Sequence, residues 1–156
     1  MQIGYPNYPR ADLYREISWI GGNGFDFVDL FLEEDRGRAV DVDTERLKGL
    51  LDDHGLGVVG HTACYLPIGS PMASLRGTAV REAVAAFEIF AALGVEYATI
   101  HANWPSRMFE VREGLAYQIE TLRELTAEAG RRGLHVMYEP LNSERDSLQN
   151  VTAVLD

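Results

Sequence analysis

Strand-like apolar segments and helix-like segments alternate along the whole chain, and three of the strands end on a residue that can do chemistry. These residues are His61, His101 and Glu139, spaced 40 and 38 residues apart. Each interval leaves room for a loop and a long helix between two parallel strands. Parallel strands joined in this way bring their carboxyl ends to one rim of a sheet, so we expect the three side chains to meet there. The alternation restricts the chain to an α/β fold.

Apolar periodicity predicts where the individual elements lie. Five strands are expected over residues 2–5, 25–31, 57–61, 97–101 and 134–139. Five helices are expected: from an Asp12 cap to the glycines at 21–24, from an Asp43 cap to His54, over 75–93, over 109–129, and after a Ser147 cap. The fourth helix is expected to bury Leu115, Ile119, Leu122 and Leu125. No composition shift marks a linker, so residues 1–156 are interpreted as one domain.

Five strand–helix units are compatible with two architectures, an open doubly wound sheet or part of an eightfold barrel. A complete barrel takes roughly 250 residues, so a chain of 156 residues is not expected to close one alone. The glycines at 21–24 follow a helix and open a strand. A phosphate-binding loop has the opposite order, so these glycines are interpreted as a connection.

Composition argues against several classes of partner. The chain has 24 acidic and 14 basic residues, a formal charge of −10, which disfavours nucleic acid and anionic membranes. Its single lysine, Lys48, lies on a predicted helix, so Schiff-base chemistry is not expected.

Cys64 is the only cysteine and is interpreted as a packing residue in a reducing compartment. With no leader pattern and no bilayer-length apolar run, a soluble cytoplasmic protein is expected.

Glu139 is the sharpest candidate for chemistry. A glutamate that ends an apolar strand is costly to bury without a cation or a hydrogen-bonded partner. It can bind a metal ion, remove a proton, or do both. A single histidine such as His61 or His101 is often only structural. Because both end parallel strands beside this carboxylate, a functional role is favoured for the set.

Other polar and aromatic residues follow the predicted strand ends. Side chains that can line a pocket, or equally pack the loops, are Tyr5, Asn7, Tyr65 and Trp104. Asn142 and Glu144 follow Glu139 and can reach a ligand. The acidic residues 33–35 are expected to form a solvated loop. His54 is interpreted as a helix cap, and His135 as a structural residue on the opposite rim.

Three segments carry a resemblance to a known family: HTACYLPIGSP at 61–71, TIHANW at 99–104 and MYEPLN at 137–142. They are similar to strand ends of the xylose isomerase-like TIM barrel superfamily. That superfamily includes sugar and sugar phosphate isomerases and epimerases, inosose dehydratases and type IV apurinic endonucleases. The resemblance covers the chain as the first five of eight strand–helix units, and it implies a partial (β/α)8 TIM barrel.

The resemblance also implies a divalent metal, Mn, Mg, Co or Zn, at the carboxyl-terminal rim. In isomerase and epimerase members the glutamate matched by Glu139 is a metal ligand and an acid–base group. The histidines matched by His61 and His101 line the substrate pocket there, and Trp104, Tyr5 and Asn142 are expected to join them. In endonuclease members the two histidines and this glutamate are all zinc ligands.

Three functional hypotheses follow. The first is a metal-dependent sugar isomerase or epimerase that removes a proton next to a carbonyl through an enediolate. The second is a zinc phosphodiesterase acting on damaged DNA. The third is an inactive or split half-barrel, because strands six to eight, which would supply an aspartate, a histidine and a second glutamate, are absent. Uncovered sheet edges and apolar faces predict association with another copy or with a complementary half-barrel chain.

Overall fold

The computed structural model describes residues 1–34, 36–141 and 145–155. One parallel sheet contains five strands: β1 (Gly4–Pro6), β2 (Phe27–Leu32), β3 (Gly57–Thr62), β4 (Tyr97–His101) and β5 (His135–Glu139). The helices are α1 (Leu13–Gly22), α2 (Thr44–His54), α3 (Ala73–Ala92), α4 (Val111–Gly130) and α5 (Leu148–Leu155). A 3-10 turn at Ala39–Asp41, which the sequence pattern did not predict, precedes α2. None of the described helices combines the length and the apolar character needed to cross a membrane.

The strands are paired in chain order, β1-β2-β3-β4-β5, and every pairing is parallel. A doubly wound sheet reverses its strand order at a switch point, and the described strands show no such reversal. Continuous order is the pattern of a (β/α)8 barrel wall. The predicted α/β fold is therefore confirmed, and of the two architectures the partial TIM barrel is correct.

Local sequence signals account for most helix boundaries. The Asp12 carboxylate accepts a hydrogen bond from the Arg15 amide, and the Asp43 carboxylate accepts one from the Arg46 amide, each at 3.0 Å. These bonds satisfy free amides in the first turns of α1 and α2, as predicted. A left-handed Gly55, with φ of 64°, ends α2. Strand limits differ from the predicted ones by up to two residues.

The two faces of the sheet have different surroundings. One face is buried beneath the helices, and the largest fully buried apolar side chains of the protein include Ile17, Leu30, Leu47, Phe87, Phe90 and Ile100. The opposite face would line the interior of a closed barrel. There Tyr97 and Met137 are 42% and 38% exposed. The described chain therefore leaves its inner sheet face uncovered, as expected for part of a barrel.

The buried stripe of α4 is more polar than predicted. Leu115 and Ile119 are only half-buried, whereas the buried positions are Gly114, Gln118, Thr121, Leu122, Leu125 and Ala129. Gln118 Oε1 accepts hydrogen bonds from the Asn103 amide and the Tyr138 hydroxyl, both at 3.0 Å. Buried donors need such acceptors, so this face carries polar residues that an apolar-periodicity argument misses.

Gly69 allows the loop after β3 to touch the loop after β4. A Cβ added at Gly69 would lie 1.8 Å from the carbonyl oxygen of Asn103, which is a backbone atom and has little freedom to move. By contrast, a Cβ added at Gly49 in α2 would meet nothing within 4 Å. The close approach of the two loops therefore requires glycine at position 69.

We predict that Gly69→Ala lowers the free energy of unfolding by about 1–3 kcal/mol or more, because the added methyl group overpacks a backbone contact. The matched substitution Gly49→Ala should raise it by roughly 0.5–1 kcal/mol, since alanine favours an open helical position. Urea denaturation followed by circular dichroism measures both. Equal effects of the two substitutions would contradict the close loop contact.

Candidate metal centre

Three strands bring their carboxyl ends together at one edge of the sheet, which we call the mouth. His61 lies near the end of β3, and His101 and Glu139 are the last residues of β4 and β5. The register pairs His61 with Thr99 and His101 with Glu139, so all three side chains occupy the inner face. One potential ligand atom from each residue lies within 4.8 Å of the others. His61 and His101 are buried, whereas the Glu139 side chain is 50% exposed.

A chain of hydrogen bonds links the two imidazoles to a carboxylate. His61 Nδ1 lies 3.1 Å from both oxygens of Asp29, and His61 Nε2 lies 2.5 Å from His101 Nε2. A carboxylate only accepts hydrogen bonds, so His61 Nδ1 carries the hydrogen. In a neutral ring His61 Nε2 is then an acceptor, and His101 Nε2 donates to it. This assignment leaves a lone pair on His101 Nδ1.

That lone pair faces the third member of the cluster. His101 Nδ1 is buried and has no hydrogen-bond partner among the described residues. It lies 3.9 Å from Glu139 Oε2, and the same oxygen lies 3.7 Å from His61 Nε2. Burial and the neighbouring His61 lower the pKa of His101, although Glu139 and Asp29 act in the opposite direction. A neutral His101 therefore has a buried lone pair, without a hydrogen-bond partner among the described residues, 3.9 Å from a carboxylate oxygen.

A divalent cation suits this arrangement. His101 Nδ1 and Glu139 Oε2 both carry lone pairs and lie 3.9 Å apart, so together they attract positive charge. Imidazole nitrogens and carboxylate oxygens are common ligands of zinc and other transition metals. The residues present fit a metal ion, with His101 Nδ1 and Glu139 Oε2 as its ligands in this arrangement of hydrogens. His61 Nε2, the third potential ligand of the cluster, would join them only where it no longer accepts the hydrogen of His101 Nε2. The remaining coordination positions would be open to substrate or to ligands from outside this chain.

Aromatic stacking holds the His61 ring in place. The Phe31 ring lies 3.8 Å from it, centroid to centroid, with an angle of 18° between the planes. The His101 ring stacks on His61 at 4.6 Å. Strand β2 thus contributes two groups to the site, the Phe31 ring and the Asp29 carboxylate, from alternate positions on its inner face.

Asp29 is a site residue that the sequence analysis missed. It lies in the middle of β2 rather than at a strand end, and only strand ends were considered. A signal was nevertheless available, because Asp29 interrupts the apolar run Phe27-Val28-Asp29-Leu30-Phe31. A carboxylate inside such a strand is costly without a polar partner, and His61 provides that partner.

Tyr5 is not part of this cluster. In register it is paired with Val28, which is buried beneath the helices. Its ring packs 5.5 Å from that of Trp19 in α1 and 4.9 Å from that of Phe25. Alternation along β1 therefore directs Tyr5 to the helix side of the sheet. This placement does not support the predicted substrate-binding role.

Trp104 packs the loop that follows β4. Its Nε1 donates a hydrogen bond to Asp146 Oδ1 at 2.6 Å, and its ring lies against Gly114 at the start of α4. The indole is half-buried, so a substrate contact from it stays a prediction. Asn142 and Glu144, which were also expected near the mouth, lie outside the described residues.

The acidic loop after β2 differs from the predicted solvated loop at one position. Glu33 is half-buried and accepts a hydrogen bond from the Cys64 amide at 3.4 Å. Burial raises the pKa of Glu33, although the Cys64 amide and His61 partly oppose the shift. Burial and Glu33 also raise the pKa of the Cys64 thiol, which agrees with a packing role. Glu34 is exposed as expected, and Asp35 lies outside the described residues.

Glu33 also borders a pocket on the helix side of the sheet. The pocket has a volume of about 260 Å³ and is separate from the histidine cluster. Apart from Glu33, its polar lining includes Arg38, Tyr65 and Glu82.

We predict that Glu33→Gln stabilises the protein at neutral pH relative to wild type and has no such effect in acid. Because the folded-state pKa of Glu33 is raised, the stability that this residue contributes is fully present below the unfolded value near 4.5 and is lost as pH rises through the folded value. Glutamine keeps an acceptor for the Cys64 amide and carries no charge. Urea denaturation of both proteins across this pH range tests the prediction, and a difference independent of pH would contradict it.

The sequence profile described as "Xylose isomerase-like TIM barrel" matches residues 18–156. No curated protein matches the chain in sequence.

Solved structures similar to the chain include a D-tagatose 3-epimerase-like protein, with a TM-score of 0.89, 20% identity and coverage of 100% of this chain and 60% of that one. The 3-keto-D-glucoside 4-epimerase of E. coli has a TM-score of 0.80 and 21% identity, covering 99% of this chain and 63% of that one. An L-ribulose 3-epimerase has a TM-score of 0.73 and 18% identity, covering 100% and 58%.

These similarities, at low identity, establish the fold. The chain spans only about three fifths of the length of these three relatives. The profile match extends over most of the sequence, from α1 to the last residue. The five parallel strand–helix units agree with it. The chain therefore belongs to the xylose isomerase-like TIM barrel family.

Proposed function

We propose that this chain carries part of the active site of a divalent-metal-dependent sugar epimerase or isomerase. The observation that carries the proposal is the convergence of His61, His101 and Glu139 at the carboxyl-terminal mouth of the barrel wall. Active sites of TIM barrels are built at this end of the strands. The cluster combines ligands for a cation with a carboxylate that is accessible to a bound molecule.

The names of the similar proteins suggest a reaction class. A 3-keto-glucoside 4-epimerase, a tagatose 3-epimerase-like protein and a ribulose 3-epimerase have one feature in common. In each named reaction the carbon that is inverted lies next to a carbonyl. A proton on such a carbon is acidified by the carbonyl, so inversion needs a base and stabilisation of the resulting enediolate.

In the proposed reaction the Glu139 carboxylate takes the proton from the carbon next to the substrate carbonyl, through the oxygen that does not hold the cation, and can return it. The exposed half of its side chain allows a sugar to reach it. His61 and His101 form the buried inner end of the site, with their rings stacked on each other. A bound divalent cation would supply electrophilic stabilisation of the negative charge that develops on the substrate. A second acid–base group for the opposite face of the carbon would come from outside this chain.

The ligand set favours some metals over others. Imidazole nitrogen suits zinc and other later transition metals, whereas manganese and magnesium prefer oxygen ligands and magnesium also retains water. Of the four metals that the sequence resemblance suggested, we therefore propose Co or Zn rather than Mg or Mn. The observation behind this choice is the pair of imidazoles with only one carboxylate in the cluster.

The same ligand set supports a second candidate, a zinc phosphodiesterase of the apurinic endonuclease type. Two histidines and a glutamate would all be zinc ligands in such an enzyme. The formal charge of −10 opposes this candidate, because a DNA backbone would be repelled. Metal-dependent cleavage of an abasic-site duplex, abolished by a chelator, would favour it over the epimerase.

The uncovered inner face also supports a proposal about partners. The exposed side chains of Tyr97 and Met137 on this face, and the free edges of β1 and β5 among the described strands, would be covered in a closed barrel. We propose that another copy of the chain or a complementary half-barrel covers them and completes the ligand set. Sedimentation of the purified chain, alone and with a candidate partner, measures this association.

We predict that the chain binds one Co²⁺ or Zn²⁺ ion and that His101→Ala or Glu139→Gln weakens binding. The loss should exceed the roughly 10- to 100-fold that removal of an outer hydrogen-bond partner costs, because a direct ligand is lost. Isothermal titration calorimetry and the visible spectrum of Co²⁺ measure it. The matched control His135→Ala, at the opposite end of β5, should bind as wild type does. Equal loss in the control would indicate nonspecific binding.

We predict metal-dependent exchange of one carbon-bound proton when the Co²⁺- or Zn²⁺-loaded protein is incubated with ketoses in deuterated buffer. The label should appear on the carbon next to the carbonyl, as measured by NMR and mass spectrometry of the sugar. Glu139→Gln should abolish the exchange, since its amide cannot accept the proton. A metal-loaded protein that labels none of a panel of D-tagatose, L-ribulose and 3-keto-glucosides would contradict the epimerase proposal.

A further inference from the structure

We propose that Asp29 is a positioning residue that sets the direction of the hydrogen-bond chain through His61 and His101. In the arrangement that Asp29 favours, His61 carries its hydrogen on Nδ1 and His101 carries its hydrogen on Nε2. The lone pair that accepts no hydrogen bond is then on His101 Nδ1, near Glu139. The consequence for metal binding rests on the proposed function. The direction of the hydrogen bonds does not, because it follows from contacts within the described residues.

The sheet register brings Asp29 to His61 diagonally. Asp29 is paired with Val59, and His61 is paired with Phe31, so the carboxylate and the imidazole lie two residues apart along neighbouring strands. Inner-face side chains at diagonal positions of a sheet are within reach of each other when one of them is long. Both Asp29 oxygens lie 3.1 Å from His61 Nδ1. The Asp29 side chain is 32% exposed, so most of its surface is removed from solvent.

Two arrangements of hydrogens would satisfy the short contact between the imidazoles at 2.5 Å. In one, His61 carries hydrogen on Nδ1 and His101 donates from Nε2. In the other, His61 donates from Nε2 and His101 carries hydrogen on Nδ1. A neutral imidazole has one N–H, so choosing the donor in one ring fixes the whole chain.

Asp29 favours the first arrangement. In the second, a lone pair on His61 Nδ1 would face the Asp29 carboxylate, and two acceptors would repel each other. The second arrangement would also direct the His101 Nδ1 hydrogen towards Glu139 Oε2, now 3.9 Å away. A proton would then occupy the place where a cation fits. Asp29 thus selects the tautomers that leave His101 Nδ1 available as a ligand.

The histidine tautomers test the proposal directly. Imidazole nitrogen-15 NMR of the metal-free full chain, at a pH well above the ordinary pKa of histidine so that the rings are neutral, reports which nitrogen carries the hydrogen. In the wild type we expect hydrogen on Nδ1 of His61 and on Nε2 of His101. In Asp29→Ala we expect a substantial population with hydrogen on His101 Nδ1. Wild-type tautomers in Asp29→Ala, or the opposite tautomers in the wild type, would overturn the proposal.

Control variants separate positioning from a structural effect. Phe31→Leu removes the ring stacked on His61 and keeps the carboxylate, so the tautomers should remain those of the wild type. Asp26→Asn removes one acidic charge just before β2 and away from the cluster, and should leave them unchanged too. Asp29→Asn keeps an oxygen acceptor and should restore most of the wild-type pattern. A tautomer change in Phe31→Leu as large as that in Asp29→Ala would overturn the positioning role.

Titration with Co²⁺ alone adds a second readout. Asp29→Ala should weaken binding about 10- to 100-fold, as the loss of an outer hydrogen-bond partner at a metal site does elsewhere. If the wild type binds no Co²⁺ while its tautomers still depend on Asp29, the proposed metal function fails and the positioning role stands. If Co²⁺ binds equally to wild type and Asp29→Ala, the positioning role in metal binding fails and the proposed function stands.

Discussion

The in-register parallel pairing of β2, β3, β4 and β5 is the constraint on which the site depends. Side chains alternate between the two faces of a sheet, so a shift of one residue in any pairing would turn its site residues towards the helices. The observed register places Asp29, His61, His101 and Glu139 on one face. Residues from four separate parts of the sequence thus become neighbours through the pairing of these strands.

Polar side chains of the helices hold the loops around this mouth. Arg76 in α3 donates a hydrogen bond to the Ser70 carbonyl, and Thr121 in α4 donates one to the Ile68 carbonyl, each at 2.8 Å. Gln118 accepts from the loop after β4 and from β5. Buried loop backbone needs such partners, because unpaired polar groups are costly away from water. The mouth is therefore supported from the helix layer, while its inner side stays uncovered in this chain.

The extent to which the sequence predicted the site differs from residue to residue. The convergence of His61, His101 and Glu139 could be predicted because each ends an apolar run, and parallel strands bring their ends to one rim. Asp29 escaped notice because its role depends on a diagonal contact with another strand. Tyr5 was assigned to the mouth although alternation along β1 directs it to the helix side. In each case the outcome depended on which face of the sheet the residue occupies. That face is set by the register of its strand with the neighbouring strand.

The sequence by itself determined the order of strands and helices, their caps and the side chains able to bind a cation, since these depend on local periodicity and residue chemistry. It also determined the acidic surface charge. Only the tertiary structure decided which face each strand residue occupies, that α4 buries Gln118 rather than Leu115, and that Glu33 is half-buried. Those outcomes depend on the register between distant segments and on which loops pack together. Neither is encoded within the span of a single helix or strand.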